Sequence, residues 1–177
     1  AGPAAPAAQP APAARTEDQR IAEFFETVFQ RNLADSPMFQ SQIGIKGKDY
    51  GRWADISEAE AHRQDALNRQ DLEKLKGFDA TRLSPQARTS ARIFEYLRRQ
   101  NVDGFPWRFH NYVFSSTTTP SVYVATFLQN IHRVDDVSDA EAYVSRLRDS
   151  ERFLGQFVDG IEDAAARGIV PTSFSFD

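Results

Sequence analysis

Cysteine is absent from this 177-residue sequence, and methionine occurs once. The absence of cysteine excludes a disulfide framework, a thiolate zinc site and a cysteine nucleophile. No apolar run reaches the roughly 20 residues that a membrane-spanning helix needs. Positive charge is not in excess either, because 25 Asp and Glu outnumber 21 Lys and Arg and give a formal charge of -4. We therefore expect neither a nucleic acid partner nor a transmembrane segment.

The first fourteen residues, AGPAAPAAQPAPAA, are almost entirely alanine and proline. Such a segment has no large apolar side chain to bury, so we predict a disordered tether over residues 1–15 and a folded domain over residues 16–177. A start of small residues followed by a tether is typical of a protein whose signal peptide has been removed. A cloning boundary in a cytosolic protein would give the same composition. We expect export, and therefore a periplasmic or extracellular location.

The domain has enough apolar residues to bury a core, since 41% of the chain is hydrophobic and 12% is aromatic. The apolar spacing is helical almost throughout this part of the chain. Capping residues mark four of the helix starts, at Thr16, Ser57, Ser84 and Ser138. The predicted helices cover residues 17–35, 37–43, 58–76, 85–101, 120–131 and 139–167. The stretch IKGKDYGRW between the second and third helices is predicted as a loop.

One segment departs from the helical period. Residues 105–114, FPWRFHNYVF, alternate aromatic side chains with Arg108 and His110. This period of two is typical of a short strand or an extended segment. The sequence therefore predicts an all-α fold with one short extended aromatic segment.

The longest predicted helix, residues 139–167, carries an apolar stripe that we expect to face the core. Its members are Val144, Leu147, Leu154, Val158, Ile161 and Ala165. Beyond this helix, Pro171 is followed by six residues that include Phe174 and Phe176. Apolar residues at this position indicate a segment about to enter another element. We expect the helical domain to be incomplete within residues 16–177 and to continue beyond Asp177.

Residue patterns that carry chemistry are scarce. The three histidines, His62, His110 and His132, show none of the spacings that place two imidazoles on one helix face. His110 has aromatic neighbours and Arg108 nearby, and a packed structural histidine is the alternative to a catalytic one. The acidic residues near position 136 fit a helix N-terminus better than a calcium loop. There is no nucleophile elbow and no phosphate-binding loop, so we assign no catalytic residue and no metal ligand within this chain.

Three stretches of the sequence, taken together in order, resemble the N-terminal part of the bacterial family known as domain of unknown function 885. They are residues 36–57, 83–100 and 127–171. The residues that carry the resemblance are Pro37, Gly44 and Asp55, then Ser84-Pro85 with Arg88, then Ala140, Tyr143, Arg146 and Leu147, and finally Gly168 to Pro171. The resemblance covers nearly the whole chain after Thr16.

This resemblance implies a larger protein than the residues printed here. Members of the family are similar to zinc-dependent peptidases or amidases, are mostly helical, and are often exported. Their histidine-containing metal motif lies downstream of the matched region, so the resemblance implies no cofactor within this chain and zinc in the missing C-terminal part. The chain alone would be inert, with the remainder of the same polypeptide as its partner and a small peptide-like molecule as the substrate. We expect Arg108, His110, Asn111 and Tyr112 to face the substrate cleft.

Two functions from different classes remain. The first is an N-terminal scaffold and substrate-cleft segment of an exported metallopeptidase-like hydrolase. The second is a free-standing helical binding module on a flexible tether. The first predicts that Phe174 and Phe176 pair with missing sequence, and the second that they fold back onto the core.

Overall fold

The computed structural model describes residues 15–110 and 119–171. Six α-helices lie in these ranges: α1 (Glu17–Ala34), α2 (Pro37–Gln42), α3 (Glu58–Leu75), α4 (Pro85–Gly104), α5 (Pro120–Asn130) and α6 (Val137–Ala166). A 3₁₀ helix over Phe105–His110 follows α4 directly. The described residues contain no strand, so the predicted all-α class is confirmed for this part of the chain. None of the helices in these ranges has both the length and the apolar character needed to cross a bilayer.

Helices α1, α3 and α4 pack around aromatic side chains and a buried ion pair. The ring of Phe24 lies 5.4 Å from that of Phe94 and 5.6 Å from that of Phe78, measured between centroids. Arg31 of α1 donates to both carboxylate oxygens of Asp71 in α3, at 3.0 and 2.7 Å. Asp71 is completely buried. Helix α3 has few apolar residues, and this charged contact fixes it to α1.

Trp53 lies in the segment that precedes α3 and is at the centre of a second core, which this segment forms with helices α5 and α6. Its ring is 2% exposed, stacks on Phe153 at 4.8 Å and lies 5.1 Å from Phe127. The indole N–H donates to the Arg146 carbonyl oxygen at 2.9 Å and to Ser150 Oγ at 3.0 Å. The segment predicted as a loop is therefore held firmly on α6, with the indole satisfied in both its apolar and its polar part.

Two glycines lie where a side chain would be strained. A Cβ atom on Gly51 would lie 3.0 Å from the carbonyl oxygen of Ala142, closer than an ordinary contact, so α6 would have to shift to accommodate it. Gly168 has a φ of +76° at the end of α6. The N–H of Ile169 donates to the Ala164 carbonyl at 3.0 Å, which closes the helix as the Gly168 signal predicts.

Three of the four predicted caps are confirmed. Thr16 accepts from the Gln19 N–H and forms the expected capping box, and Ser57 and Ser84 each accept from the backbone three residues on. Ser138 is not the cap of α6, because Asp136 accepts from the Asp139 N–H at 3.0 Å and also accepts from the Ser138 hydroxyl at 2.7 Å. A carboxylate is a stronger acceptor for the N–H groups at a helix start than a hydroxyl is. The helix therefore begins two residues before the predicted position.

The extended aromatic segment is a wrong prediction over residues 105–110. Helix α4 runs on to Gly104, and the 3₁₀ helix continues from it without a break. In the 3₁₀ helix Arg108 lies between two rings, with its guanidinium carbon 4.2 Å from the Phe105 centroid and 4.4 Å from that of Phe109. These stacking contacts hold the aromatic and basic side chains together without an extended backbone. Residues 111–114 lie outside the described part of the chain.

The predicted core face of α6 is only partly correct, because Leu154 packs against the core around Trp53 while other members of the stripe face outward. Val144, Leu147 and Val158 are between 44% and 53% exposed. The residues of α6 that are buried are Asp139, Arg146, Ser150 and Phe153. The polar residues among these form hydrogen bonds to the chain before α3, and these bonds determine which face of α6 turns inward. A prediction from hydrophobic periodicity takes no account of such bonds. Residues 1–14 of the predicted tether over residues 1–15, and the apolar pair Phe174 and Phe176, lie outside the described residues.

Candidate functional site

A cleft of about 280 Å³ lies where the start of α3, the 3₁₀ helix and the second half of α6 meet. Its principal walls are Ile56, Glu58, Phe109, Gln156, Asp159 and Asp163. Local structure positions two of these walls. The Ser57 cap starts α3 at Glu58, and the 3₁₀ helix carries Phe109 on the opposite side of the cleft. The cleft therefore combines aromatic and aliphatic surface with three carboxylates.

Arg108 and Glu58 join two walls of the cleft. Arg108 Nε lies 3.1 Å from each carboxylate oxygen of Glu58, and its Nη2 donates to the same group. Arg108 Nη1 donates to the Phe105 carbonyl at 3.0 Å, which orients the guanidinium. The pair is partly exposed, with 25% of the Arg108 side chain and 35% of the Glu58 side chain open to solvent. It fixes the 3₁₀ helix to the first turn of α3.

The same pair sets the charge state of Glu58. The hydrogen bond from Arg108 lowers the pKa of this carboxyl below its usual range, against an opposing effect of burial. His62 Nε2 lies 3.1 Å from the carboxylate, one helical turn further along α3. The pKa of Arg108 is raised in turn, chiefly by the hydrogen bond to Glu58. Glu58 is thus a fixed anion, unsuited to exchanging protons near neutral pH.

Gln156 forms the polar floor of the cleft. Its Oε1 accepts from the Ile56 N–H and from Arg152 Nη1, both at 3.1 Å. Its Nε2 donates to Asp55 Oδ1 at 2.8 Å. The pKa of Asp55 is lowered, first by the backbone N–H of Ser57 that its carboxylate accepts. The floor is therefore fully hydrogen-bonded, whereas Asp159 and Asp163 are exposed at the opening.

The four residues expected to face a substrate cleft are only partly brought together. Arg108 stands beside the cleft through its contact with Glu58. His110 is exposed and its ring lies 5.4 Å from that of Trp107, and it is not among the residues that line the cleft. Asn111 and Tyr112 lie outside the described residues.

The sequence analysis did not identify Gln156, Asp159 and Asp163. Their spacing of three and four residues places all three on one face of α6, and this was the available signal. Charged residues at such spacing usually form a solvated helix face, so the pattern alone does not distinguish a cleft from open surface.

A second group of titratable residues is buried in the core around Trp53. Arg146 is fully buried, with Nη1 3.1 Å from His132 Nδ1, Nη2 3.1 Å from Ser41 Oγ and Nε 3.1 Å from the Arg52 carbonyl oxygen. No carboxylate bonds to this guanidinium among the described residues. Burial lowers the pKa of Arg146 to about 10.

His132 is held neutral beside this arginine. Because Nδ1 accepts from Arg146, Nε2 carries the hydrogen and donates to the Asp139 carbonyl at 3.2 Å. Burial lowers the pKa of His132, and the ring stacks on Tyr50 at 4.3 Å. The side chain is 6% exposed and both nitrogens are engaged, so its role is structural.

Residues 15–110 and 119–171 contain no group of three His, Asp or Glu side chains placed to hold a metal ion. The cleft itself offers fixed charge, an aromatic wall and hydrogen-bonding groups. Such a surface can position a small polar molecule without itself supplying a nucleophile and base in contact.

Comparison with known proteins identifies one family. The model of the family described as bacterial protein of unknown function (DUF885) matches residues 37–177. The matched range covers α2 through α6, the cleft and the Arg146 group. Neither the curated proteins nor the solved structures gave a significant match.

Proposed function

The chain belongs to the DUF885 family, and on that premise we propose that it is the N-terminal scaffold and substrate-cleft segment of an exported metallopeptidase-like hydrolase. The whole protein would hydrolyse peptide or amide bonds in the periplasm or outside the cell. In this proposal the zinc ligands, and with them the reaction, belong to another part of the polypeptide; the described residues contain no group of three His, Asp or Glu placed to hold a metal ion. This segment alone would be inert.

The observation that carries this proposal is the exposed apolar face of α6. Val144, Leu147 and Val158 are about half exposed although their spacing is that of a packed helix face. On α4, Ile93, Tyr96 and Leu97 are more than half exposed as well. Large apolar side chains exposed at helical spacing are typical of a surface that contacts another body of protein. A scaffold that is completed by the rest of its polypeptide accounts for both faces.

The cleft supports the second part of the proposal. Its carboxylates at the opening and its hydrogen-bonded floor suit a small peptide-like molecule, whose amide groups need polar partners and whose cationic groups need anions. Arg108 would act by holding Glu58 in place on the cleft wall, and not by contacting the scissile bond.

The proposal is tested on the protein purified from its native source. We expect a denaturing intact mass far above the 20.0 kDa of these residues, bound zinc, and hydrolysis of a peptide or aminoacyl-amide library. Hydrolysis should be lost on chelation and return with zinc. A species of 20.0 kDa that binds peptides without cleaving them would refute the proposal and favour a free-standing binding module.

The cleft is tested in the same protein with Asp159→Asn and Asp163→Asn together. We expect KM for the identified substrate to rise about tenfold, because a hydrogen bond to a charged group is worth about 1.5–3 kcal/mol. Asp103→Asn is the matched control, since Asp103 is exposed on α4 and does not line the cleft. An unchanged KM in the double variant would remove the cleft from the substrate path.

A further inference from the structure

The outer stripe of α6 has a definite length and a definite charge pattern. We define it as Ala140, Val144, Leu147, Leu154, Val158, Ile161 and Ala165. From Val144 to Ile161 it extends about 26 Å at 1.5 Å per residue, which is nearly five helical turns. Leu154 and Ile161 are half-buried, whereas the valines and Leu147 are about half exposed.

The free edge of this stripe is acidic. Glu141 and Glu162 are exposed there beside Arg148, and Glu151 is exposed within the stripe itself, four residues after Leu147 and seven before Val158, so these four residues carry a net charge of -2. On the packed side of the same helix the carboxylates have partners: Lys46 bonds to Asp139, and Arg152 donates to Asp149 at 2.8 Å. Among the described residues, the three glutamates have no such cation within ion-pair distance.

From this pattern we infer that the outer stripe of α6 is the docking face for an amphipathic helix with lysine or arginine along its flank, which is contributed by the same polypeptide outside residues 1–177. The apolar stripe requires an apolar counterpart about five turns long, and the acidic edge requires cations beside it. The inference rests on the proposed function, because that proposal supplies the remaining polypeptide.

Other occupants match the surface less well. An anionic lipid surface is repelled by the acidic edge. A second α6 in antiparallel contact would place like charges together. Helix α4 of a second copy has arginines beside its apolar residues, but these run only from Ile93 to Leu97, a little over one turn, and would leave most of the stripe open.

The inference is tested by site-specific photo-cross-linking in the full natural polypeptide. A photoreactive phenylalanine analogue replaces Leu147, and in the control it replaces Arg69, which is exposed on α3. We expect one intramolecular cross-link from position 147 to a helix beyond residue 177 with basic flanking residues, and none of that kind from position 69. A cross-link between two copies, to residues 172–177, or to no protein segment would overturn the inference.

Charge reversal gives an independent readout. Glu151→Lys in the full polypeptide should lower the midpoint of thermal unfolding by about 2–4 °C, and reversal of the cross-linked basic residue to Glu should restore it. Glu26→Lys, on an exposed position of α1, is the control and should not be restored by that second change. Failure of the restoration would contradict the charge-based part of the inference.

The two proposals can fail separately. Zinc-dependent hydrolysis without the expected cross-link would overturn the docking inference and leave the proposed function standing. A cross-link to a basic helix in a polypeptide that binds no zinc and hydrolyses no peptide would support docking and refute the proposed function.

Discussion

Replacement of Arg146 by methionine is the sharpest test of how this fold is held together. Arg146 is completely buried, and its three hydrogen-bonding nitrogens contact His132, Ser41 and the carbonyl of Arg52 at 3.1 Å each. Its guanidinium carbon also lies 5.0 Å from the ring centroid of Phe127. Methionine has a similar length and is apolar, so it fills the space but cannot donate a hydrogen bond.

Two opposing effects decide the result. His132 Nδ1 and the Arg52 carbonyl lose their donor, and a buried acceptor without a partner costs about 1–3 kcal/mol. Ser41 suffers less, since its hydroxyl still donates to the Pro37 carbonyl at 2.9 Å. Loss of the stacked cation removes about 1–2 kcal/mol more. The opposing effect is that the folded variant no longer buries the charge of the guanidinium. Replacing a buried charged group by an apolar one recovers about 1–4 kcal/mol in the free energy of unfolding. We expect a net loss of about 3 kcal/mol in the free energy of unfolding.

Thermal and urea unfolding of the 177-residue chain, followed by circular dichroism, measure this loss. For a domain of this size, about 3 kcal/mol lowers the midpoint by about 6–12 °C. Arg148→Met is the matched control, because Arg148 is exposed two residues further along α6 and should change stability by less than about 0.5 kcal/mol. An Arg146→Met variant as stable as the parent would refute the reasoning, since the lost hydrogen bonds would then be worth no more than the buried charge.

Three further predictions concern the same core and its ends. The pKa of His132 is lower in the folded chain than in the unfolded chain, where it is about 6.5. Below pH 6.5 the unfolded chain therefore binds more protons than the folded chain. The free energy of unfolding should fall as the pH drops below 6.5 and stay constant just above that pH. Urea titrations at pH 7.5 and 5.5 should show this difference in the parent and a much smaller one in His132→Asn; equal differences would exclude His132 as the cause. Gly51→Ala should lower the free energy of unfolding by about 1–3 kcal/mol, because the new Cβ would lie 3.0 Å from the Ala142 carbonyl oxygen. Gly104→Ala, where no atom lies within 4 Å of the new Cβ, is the comparison in the same urea titration, and an equal loss in both variants would contradict the steric explanation. Gly168→Ala should cost about 1 kcal/mol through its positive φ alone, since no atom lies within 4 Å of the new Cβ, and an unchanged thermal midpoint would contradict this.

The sequence was most informative where a single residue determines local geometry. Thr16, Ser57 and Ser84 cap their helices as predicted, because a capping hydroxyl acts on a backbone N–H only three residues away. Gly168 ends α6 for an equally local reason. Such interactions are complete within one turn of chain, so no knowledge of the tertiary structure is needed to predict them.

The prediction of buried residues failed where burial depends on a partner that is distant in the sequence. Asp71 and Arg146 are charged, and a hydrophobic pattern assigns both to solvent, yet each is completely buried. Their burial depends on Arg31, 40 residues from Asp71, and on Ser41, 105 residues from Arg146. The walls of the cleft were missed for the same reason, because Glu58 and Gln156 become neighbours only after α3 and α6 have packed.

Five of the residues that carry the family resemblance, Gly44, Asp55, Arg88, Tyr143 and Arg146, hold backbone and core together. Gly44 has a φ of +82°, Asp55 accepts from the Ser57 N–H at 2.9 Å, and Arg88 donates to the Leu83 carbonyl at 3.1 Å. Tyr143 packs its ring at 5.4 Å against His132, which Arg146 fixes in turn. Each of these groups is engaged in an interaction that stabilises the fold, and none is left free beside the cleft. If the reacting groups of the proposed hydrolase lie outside this segment, substitutions at these positions should reduce the activity of the whole protein only as far as they reduce its folded fraction.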